Sequence, residues 1–505
     1  MEESRMTERA GPAECSTQAG AVDAAAVVEA AEPRVPSLKR LAIRGSMWTV
    51  AGYGLAQVLR LGSNMVLTRL LFPEAFGLMA LVHVFMQGLQ MFSDIGIGPS
   101  IIQDNRGDNP SFLNTAWTIQ AGRGCALWLC SWLIALPVAR LYEEPMLARL
   151  IPVAGLTALI SGFNSTSLFT LNRKLRLGLL TVVDLGTSAF GIVVMIAWAS
   201  VSPSVWALVA GGIGGTLVRT VWSHLLPGIR NRFCWDREAG RALFRFGRWI
   251  FISTLLTFLS GRMDRLLLGK LIPLAELGIY SIAMTLAMLP VTVIASLSKR
   301  SLYPSIAQIA RSERLALEQK LRKARSMMLM FGMLVTTGLA VCSPTFFHYL
   351  YDPRYHAAGW IAQLLTVSIW FQMLQMSADH TLLAVGDSRS LAVGNFAKTV
   401  ATALACIGGH ALAGLPGFII GAAAGALAGH LVVVAALARH GIMLLKQDMV
   451  YTAAALAVGL AGALGPDLAT RGSDAEPGVR GMIAGAAVLV AVGIPVVRRM
   501  IVELR

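Results

Sequence analysis

Charge is scarce in this chain. Asp, Glu, Lys and Arg make up 14% of its 505 residues, while 55% are hydrophobic and the mean hydropathy is +0.63. Soluble globular domains carry about 25% charged residues, so the composition excludes a soluble globule and places the chain in a bilayer. Cysteine is equally sparse. Cys15, Cys125, Cys130, Cys234, Cys342 and Cys406 show no metal or redox spacing, and most lie in apolar segments where Cys acts as a small hydrophobe. Enzyme signatures are missing too: there is no Walker loop, dinucleotide fingerprint, HExxH or Gly-x-Ser-x-Gly elbow. The glycine-rich "GGIGGTLVR" from Gly211 sits inside an apolar run, where glycine serves close helix packing rather than phosphate binding. No enzymatic activity, cofactor or metal is expected. The net charge of +15 does not point to nucleic acid, because the basic residues form short clusters between apolar runs without an aromatic-studded basic face.

What is present is a long series of apolar runs. The first residues, "MEESRMTERAGPAEC", lack an apolar core, and residues 1–43 read as a disordered cytoplasmic tail rather than a signal peptide. Residues 44–228 then hold six expected spans: Ser46–Leu70, Phe76–Ile97, Leu113–Leu141, Leu147–Leu168, Leu179–Val201 and Val205–Leu226. A basic, partly amphipathic connector follows at 229–247. Residues 248–440 hold six more, at Trp249–Gly269, Leu277–Leu297, Met327–Leu350, Trp360–Val385, Leu391–Leu412 and Pro416–Ala438. Residues 441–505 add Val450–Leu464 and Val479–Val497, which makes about 14 transmembrane helices. With both termini inside, most Lys and Arg of the connecting segments fall on the cytoplasmic side, as the positive-inside rule requires.

The two blocks echo each other. "GPSIIQ" at Gly98 returns as "YPSIAQ" at Tyr303, "FGLMAL" at Phe76 corresponds to "LGIYSI" at Leu277, and Pro73 matches Pro273. On the first span Tyr53, Gln57, Arg60 and Asn64 form an i, i+4, i+7, i+11 stripe, and the same spacing on the seventh holds Ser253, Thr257, Ser260 and Asp264. The pattern predicts two parallel six-helix bundles descended from one unit. Two further stripes, His83–Gln87–Gln90–Asp94 and Ser368–Gln372–Gln375–Asp379, lie on the second and tenth spans. Arg60, Arg123, Arg219, Arg262, Asp264, His380 and Lys398 add charge inside spans. Ionisable groups at such depth face a bundle interior or a wet cavity, and the pattern suggests a hydrated, net-positive path between the halves. For Arg219, Arg262 and Arg265, near span ends, snorkelling to a headgroup is the simpler alternative, and Asp94 could equally cap or hinge its span.

"GSMWTVAGYGLAQVLRLGSNMVLTRLLFPEAFGLMAL" (Gly45–Leu81), followed by "SDIGIGPSIIQ", resembles the start of the polysaccharide and oligosaccharide flippases, the Wzx-like branch of the multidrug/oligosaccharidyl-lipid/polysaccharide exporter superfamily. "RMDRLLLGKLIPLAELGIYSIA" (Arg262–Ala283) resembles the same family's seventh and eighth spans. The resemblance implies an all-α polytopic protein of two six-helix bundles, commonly with two extra helices. It also implies movement of a lipid-diphosphate-linked glycan from the cytoplasmic to the outer leaflet by alternating access, without ATP. The expected setting is the bacterial inner membrane, with a polysaccharide polymerase and export machinery as further candidate partners.

On that expectation, Arg60, Arg123 and Arg262 would contact diphosphate or an acidic sugar, since guanidinium offers paired donors to phosphate oxygens. Gln57, Asn64, Gln87, Gln90 and Gln372 would bond sugar hydroxyls. Asp94, Asp264 and Asp379 are candidates for a coupling-ion or proton site. Two other readings stay open: a drug or cation antiporter of the same superfamily, which an Arg-lined cavity disfavours, and a membrane glycan polymerase or ligase, for which the outward loops look short.

Overall fold

The computed structural model describes residues 38–93, 96–236, 258–259, 261–297 and 317–469, together with 487 and 490. Among them there are helices and turns but no strand. Backbone polar groups in hydrocarbon must be satisfied within the segment, and an α-helix does this by itself. The first half comprises α1 (Leu38–Leu70), α2 (Pro73–Phe92), α3 (Ile97–Gln103), α4 (Pro110–Tyr142), α5 (Leu147–Gly162), α6 (Ser167–Arg173), α7 (Leu177–Val201) and α8 (Val205–Leu225). The second comprises α9 (261–271), α10 (Leu274–Ala287), α11 (Leu289–Leu297), α12 (Leu317–Leu350), α13 (Ala358–Val385) and α14 (Ser388–Arg439), with α15 (Leu445–Ala469) beyond it.

Local signals explain the boundaries. Pro73 and Pro110 open α2 and α4 at a position where no amide is needed, and the Asn109 side chain accepts from Ser111 N at 2.9 Å to cap α4. Gly386, in the left-handed region at φ 90°, ends α13. The 52-residue α14 is two limbs joined at Ala413 and Gly414, where Gly414 has φ 60° and Pro416 restarts the helix. The break falls between the two spans expected there. Eight described helices are long and apolar enough to cross a membrane, or up to nine when the bent pair α5 and α6 is one span. Each of the first thirteen expected spans contains a described helix. The fourteenth lies outside the described residues apart from 487 and 490, as do residues 1–37, 237–247 and the "YPSIAQ" echo.

Two details differ from the sequence reading. The fourth span is bent by 60° between α5 and α6. The bend is held from a distance: Asn231 Oδ1 accepts from Ser165 Oγ at 2.8 Å and Thr166 N at 3.2 Å, while Gln120 Nε2 on α4 donates to the carbonyls of Gly162 and Asn164 at 3.1 and 3.0 Å. The described part of the connector carries no helix. It runs along α4, with Arg232 N and Cys234 N donating to the side chains of Asn114 and Thr118, each at 3.0 Å.

The fold is thus two helical bundles joined into one apolar core that includes Leu71 and Leu81 from the first half and Leu277, Ala283 and Phe347 from the second. α2 and α10 pack directly, and the contact is reciprocal. A Cβ on Gly77 would lie 2.1 Å from the Leu274 carbonyl oxygen, and one on Gly278 would lie 1.9 Å from that of Pro73. Only glycine permits so close an approach. At the same end of the molecule Tyr142 Oη donates to Leu266 O at 3.1 Å, Tyr355 Oη donates to Leu71 O at 3.0 Å, and Lys270 pairs with Glu143. These contacts form a seam between the halves, and Phe76, beside Gly77, also lines the cavity described next.

Candidate functional site

Behind the seam lies a cavity of ≈ 910 Å³, within the range of ligand pockets. All four residues of the α1 stripe, Tyr53, Gln57, Arg60 and Asn64, line it, because their spacing puts them on one helical face. α2 contributes His83 and Gln87, α8 contributes Arg219, and α9 contributes Arg262 and Arg265. The walls therefore come from both halves.

The charges are unbalanced. Arg60, Arg262 and Arg265 lie within electrostatic range of one another, and the same three guanidinium groups act on His83. Among the described residues none of the three forms an ion pair with a carboxylate, whereas Arg219 pairs with Asp184 at 2.9 Å. Asp264 is the acid nearest in sequence, but its Oδ2 accepts from the buried Tyr280 hydroxyl at 2.9 Å, and it does not line the cavity. Asp264 acts on Arg262 without forming an ion pair, so three clustered cations set against one nearby carboxylate among the described residues keep an excess of positive charge and, in an environment poorer in water than bulk, form a receptor for an anion.

A second chamber of ≈ 840 Å³ lies within the first half, lined among others by Gln90, Gln120, Arg123 and Asn172. Arg123 is partly committed to structure: its Nε donates to Ser93 Oγ at 2.9 Å and its Nη2 to Gln90 O at 2.7 Å, which caps the end of α2.

Of the expected cargo residues, Gln57, Arg60, Asn64, Gln87 and Arg262 meet in the first cavity, and Gln90 and Arg123 in the second. Gln372 lines neither; its amide donates to Ser368 Oγ at 3.3 Å on the same helix. Asp94 lies outside the described residues, as do Ser253, Thr257 and Ser260 of the seventh-span stripe. Asp379 keeps a buried Oδ1 without a hydrogen-bond partner and lies within electrostatic range of Lys398. Arg265 and Arg219 line the main cavity although their positions near span ends suggested headgroup contact. The i, i+3 spacing of Arg262 and Arg265 is the signal that could have paired them.

A polytopic helical fold of two repeated halves around a polar cavity defines a membrane-transporter architecture. The fold matches a lipid II flippase MurJ in an inward closed conformation, with a TM-score of 0.68 at 13% identity over 90% of this chain and 99% of that one. It also matches an inward-facing multidrug resistance MATE family transporter, with a TM-score of 0.58 at 14% identity over 78% and 96%. Residues 66–358 match the model of a family described as polysaccharide biosynthesis protein, and the chain belongs to that family. Among curated relatives, the lipopolysaccharide biosynthesis protein WzxC of Escherichia coli (strain K12) is 23% identical over 343 residues, 66% of this chain and 67% of the relative. The succinoglycan biosynthesis transport protein ExoT of Rhizobium meliloti (strain 1021) is 24% identical over 276 residues, 54% and 53% of the two lengths. The chain thus spans about half of that second relative. The Wzx-like resemblance and the all-α polytopic fold expected from sequence are borne out.

Proposed function

We propose that this multi-pass membrane protein flips a lipid-diphosphate-linked oligosaccharide from the cytoplasmic to the outer leaflet of a bacterial inner membrane by alternating access. The observation that carries the reading is the cluster of Arg60, Arg262 and Arg265, none of them in an ion pair among the described residues, in a cavity walled by both halves. An oligosaccharide diphosphate cannot cross about 30 Å of hydrocarbon unaided, because its polar groups would lose water without replacement. Guanidinium groups replace that hydration for the diphosphate with charge-assisted, paired donors. Gln57, Asn64 and Gln87 supply donors and acceptors for hydroxyls next to it. The curated relatives, named for lipopolysaccharide and succinoglycan biosynthesis, support a glycan cargo. Lys and Arg distribution supports cytoplasmic N- and C-termini.

Energy input comes from an ion or proton gradient. Asp379, with its buried oxygen left unbonded, is the best supported of the acids considered, ahead of Asp264, which is tied to Tyr280. A transport rate unchanged when pH and sodium gradients are collapsed would remove this part of the reading. The multidrug-transporter fold keeps an antiporter in view, but three unpaired arginines repel the cationic cargo such a protein would carry.

The test is leaflet translocation of a fluorescent polyprenyl-diphosphate oligosaccharide in proteoliposomes. Wild type should move the lipid, and Arg60→Ala, at equal protein level, should slow it on the order of tenfold to hundredfold, the value of one hydrogen-bonded charge contact. Equal rates in the two proteins would refute the anion site.

A further inference from the structure

The second chamber differs from the first in charge, and the two adjoin. His83, Gly212, Thr216 and Arg219 line both. Gly212 and Thr216 present little bulk at that junction, on the face of α8 that carries Arg219 one turn further on. In the first chamber Arg60, Arg262 and Arg265 form no ion pair among the described residues. In the second every guanidinium is engaged: Arg219 with Asp184 at 2.9 Å, and Arg123 with Ser93 and the α2 terminus. Apart from the His83 imidazole and the Asp184 carboxylate paired with Arg219, the remaining polar lining is amide and hydroxyl. The Gln90 and Asn172 side chains line the chamber, and no hydrogen bond of theirs to the protein occurs among the described residues. Phe169 and Leu127 add apolar surface.

A polar chamber of this size inside a membrane bundle holds water or a polar ligand, because polar groups facing an empty space would forfeit their hydrogen bonds. Free amides offer a donor and an acceptor on one group, which suits hydroxyls that both give and take a proton. An aromatic ring provides a face for the C–H side of a pyranose.

We infer that the second chamber is the glycan compartment and takes the uncharged sugars of the cargo while its diphosphate is held by Arg60, Arg262 and Arg265; this rests on the lipid-linked-glycan reading above. The Arg219–Asp184 pair marks the boundary between the two. The assignment makes the part of the repeat unit that enters the chamber neutral, since no unpaired cation waits there for an acidic sugar. It also predicts that recognition of the headgroup and of the glycan are separable by mutation.

Equilibrium binding to the full-length protein in nanodiscs tests this with two probes, maltotetraose and inorganic pyrophosphate, read by saturation-transfer NMR and by calorimetry. The double variant Gln90→Leu with Asn172→Leu should raise the Kd for maltotetraose about tenfold, the loss of two modest hydrogen bonds, and leave pyrophosphate binding within about twofold. Arg60→Ala should do the reverse. Asn172→Gln, which keeps an amide, should retain maltotetraose binding and so separates lost recognition from a damaged fold. The proposal is overturned if wild type does not bind maltotetraose, if the double variant binds it as wild type does, or if a glucuronate-containing tetrasaccharide is preferred more than about tenfold. Pyrophosphate binding that Arg60→Ala leaves intact would instead refute the anion site while a chamber-dependent sugar result stood.

Discussion

Replacing Gly278 with alanine would put a methyl carbon 1.9 Å from the Pro73 carbonyl oxygen, 2.8 Å from its carbon and 3.1 Å from Gly77 N. A carbon and a carbonyl oxygen approach to about 3.3 Å at closest, so α2 and α10 must part by more than 1 Å, and neither obstacle is a flexible side chain that can swing away. Overpacking of this kind costs about 1–3 kcal/mol. The cost falls on the conformation in which the seam is closed. In a protein that alternates between a closed and an open seam, it shifts the population toward the open one by about 5- to 150-fold. The assay is maleimide labelling of a single cysteine at Thr285, a cavity-lining position, in a background with the native cysteines replaced. Labelling from the seam side should rise in Gly278→Ala and labelling from the opposite side should fall. Gly77→Ala should act alike, since its Cβ would meet Leu274 O at 2.1 Å. The double variant should cost well under the sum, because the retreat that relieves one clash relieves the other. Gly122→Ala, with nothing within 4 Å of the new Cβ, is the neutral control. Labelling rates that stay equal to the parent in a folded Gly278→Ala protein would refute the seam as a gate.

Two further outcomes follow from polar contacts outside the cavity. Arg325, fully buried on α12, pairs with Asp448 on α15, which also bonds His430 at 3.0 Å; Arg325→Ala or Asp448→Ala should each cost about 3–5 kcal/mol of thermal stability by leaving a bare buried charge, and Arg325→Met with Asp448→Leu should recover most of it. At the turn between α13 and α14, Asp387 accepts from His440 and from Ser390 N and Oγ, which holds its carboxyl well below the usual carboxylate range. A depressed carboxyl stabilises the fold above its unfolded pKa of about 3.9 and loses that contribution as pH falls further, so the protection factors for hydrogen exchange at the start of α14, which divide out the intrinsic pH dependence of exchange, should fall in acid in wild type and depend less on pH in Asp387→Asn.

How much of this was legible in sequence depended on whether a residue had one destination or several. A polar stripe in the middle of an apolar helix, such as Gln57–Arg60–Asn64, has only the protein interior to turn to, and all three reach the cavity. Arg265 and Arg219 sit near span ends, where headgroups and cavity compete, and only the packing of α8 and α9 against the other half decides. The stripe on α13 obeys the same periodicity, but its glutamines do not reach the cavity: Gln372 bonds Ser368, and Gln375 is 2% exposed. Nothing local in "SGFNSTS" announces the 60° bend, because its supports, Gln120 and Asn231, lie more than 40 residues away in either direction. The Arg325–Asp448 pair is hidden in the same way, each member reading alone as a charge near a helix end.

Duplication explains why the seam is symmetric while the chemistry is not. Gly77 faces the residue four before Gly278, and Gly278 faces the residue four before Gly77, so one ancestral surface packs on its own copy as in an isologous dimer. Such a contact improves twice with each favourable change in the ancestral unit and survives as long as both copies keep glycine. The cavity has no such constraint. Arg60 stands on α1, but the arginines that join it from the second half are at 262 and 265, not at the matching position, which is Ser260. The amide-lined chamber belongs to the first half, whereas the buried Arg325–Asp448 pair in the second half fixes α15. A fused pair of halves can therefore keep a symmetric hinge surface for motion and divide the work of recognition and anchoring between them. On that division, cargo specificity should change through substitutions on α2, α4, α6 and α8 of the first half without disturbing the seam.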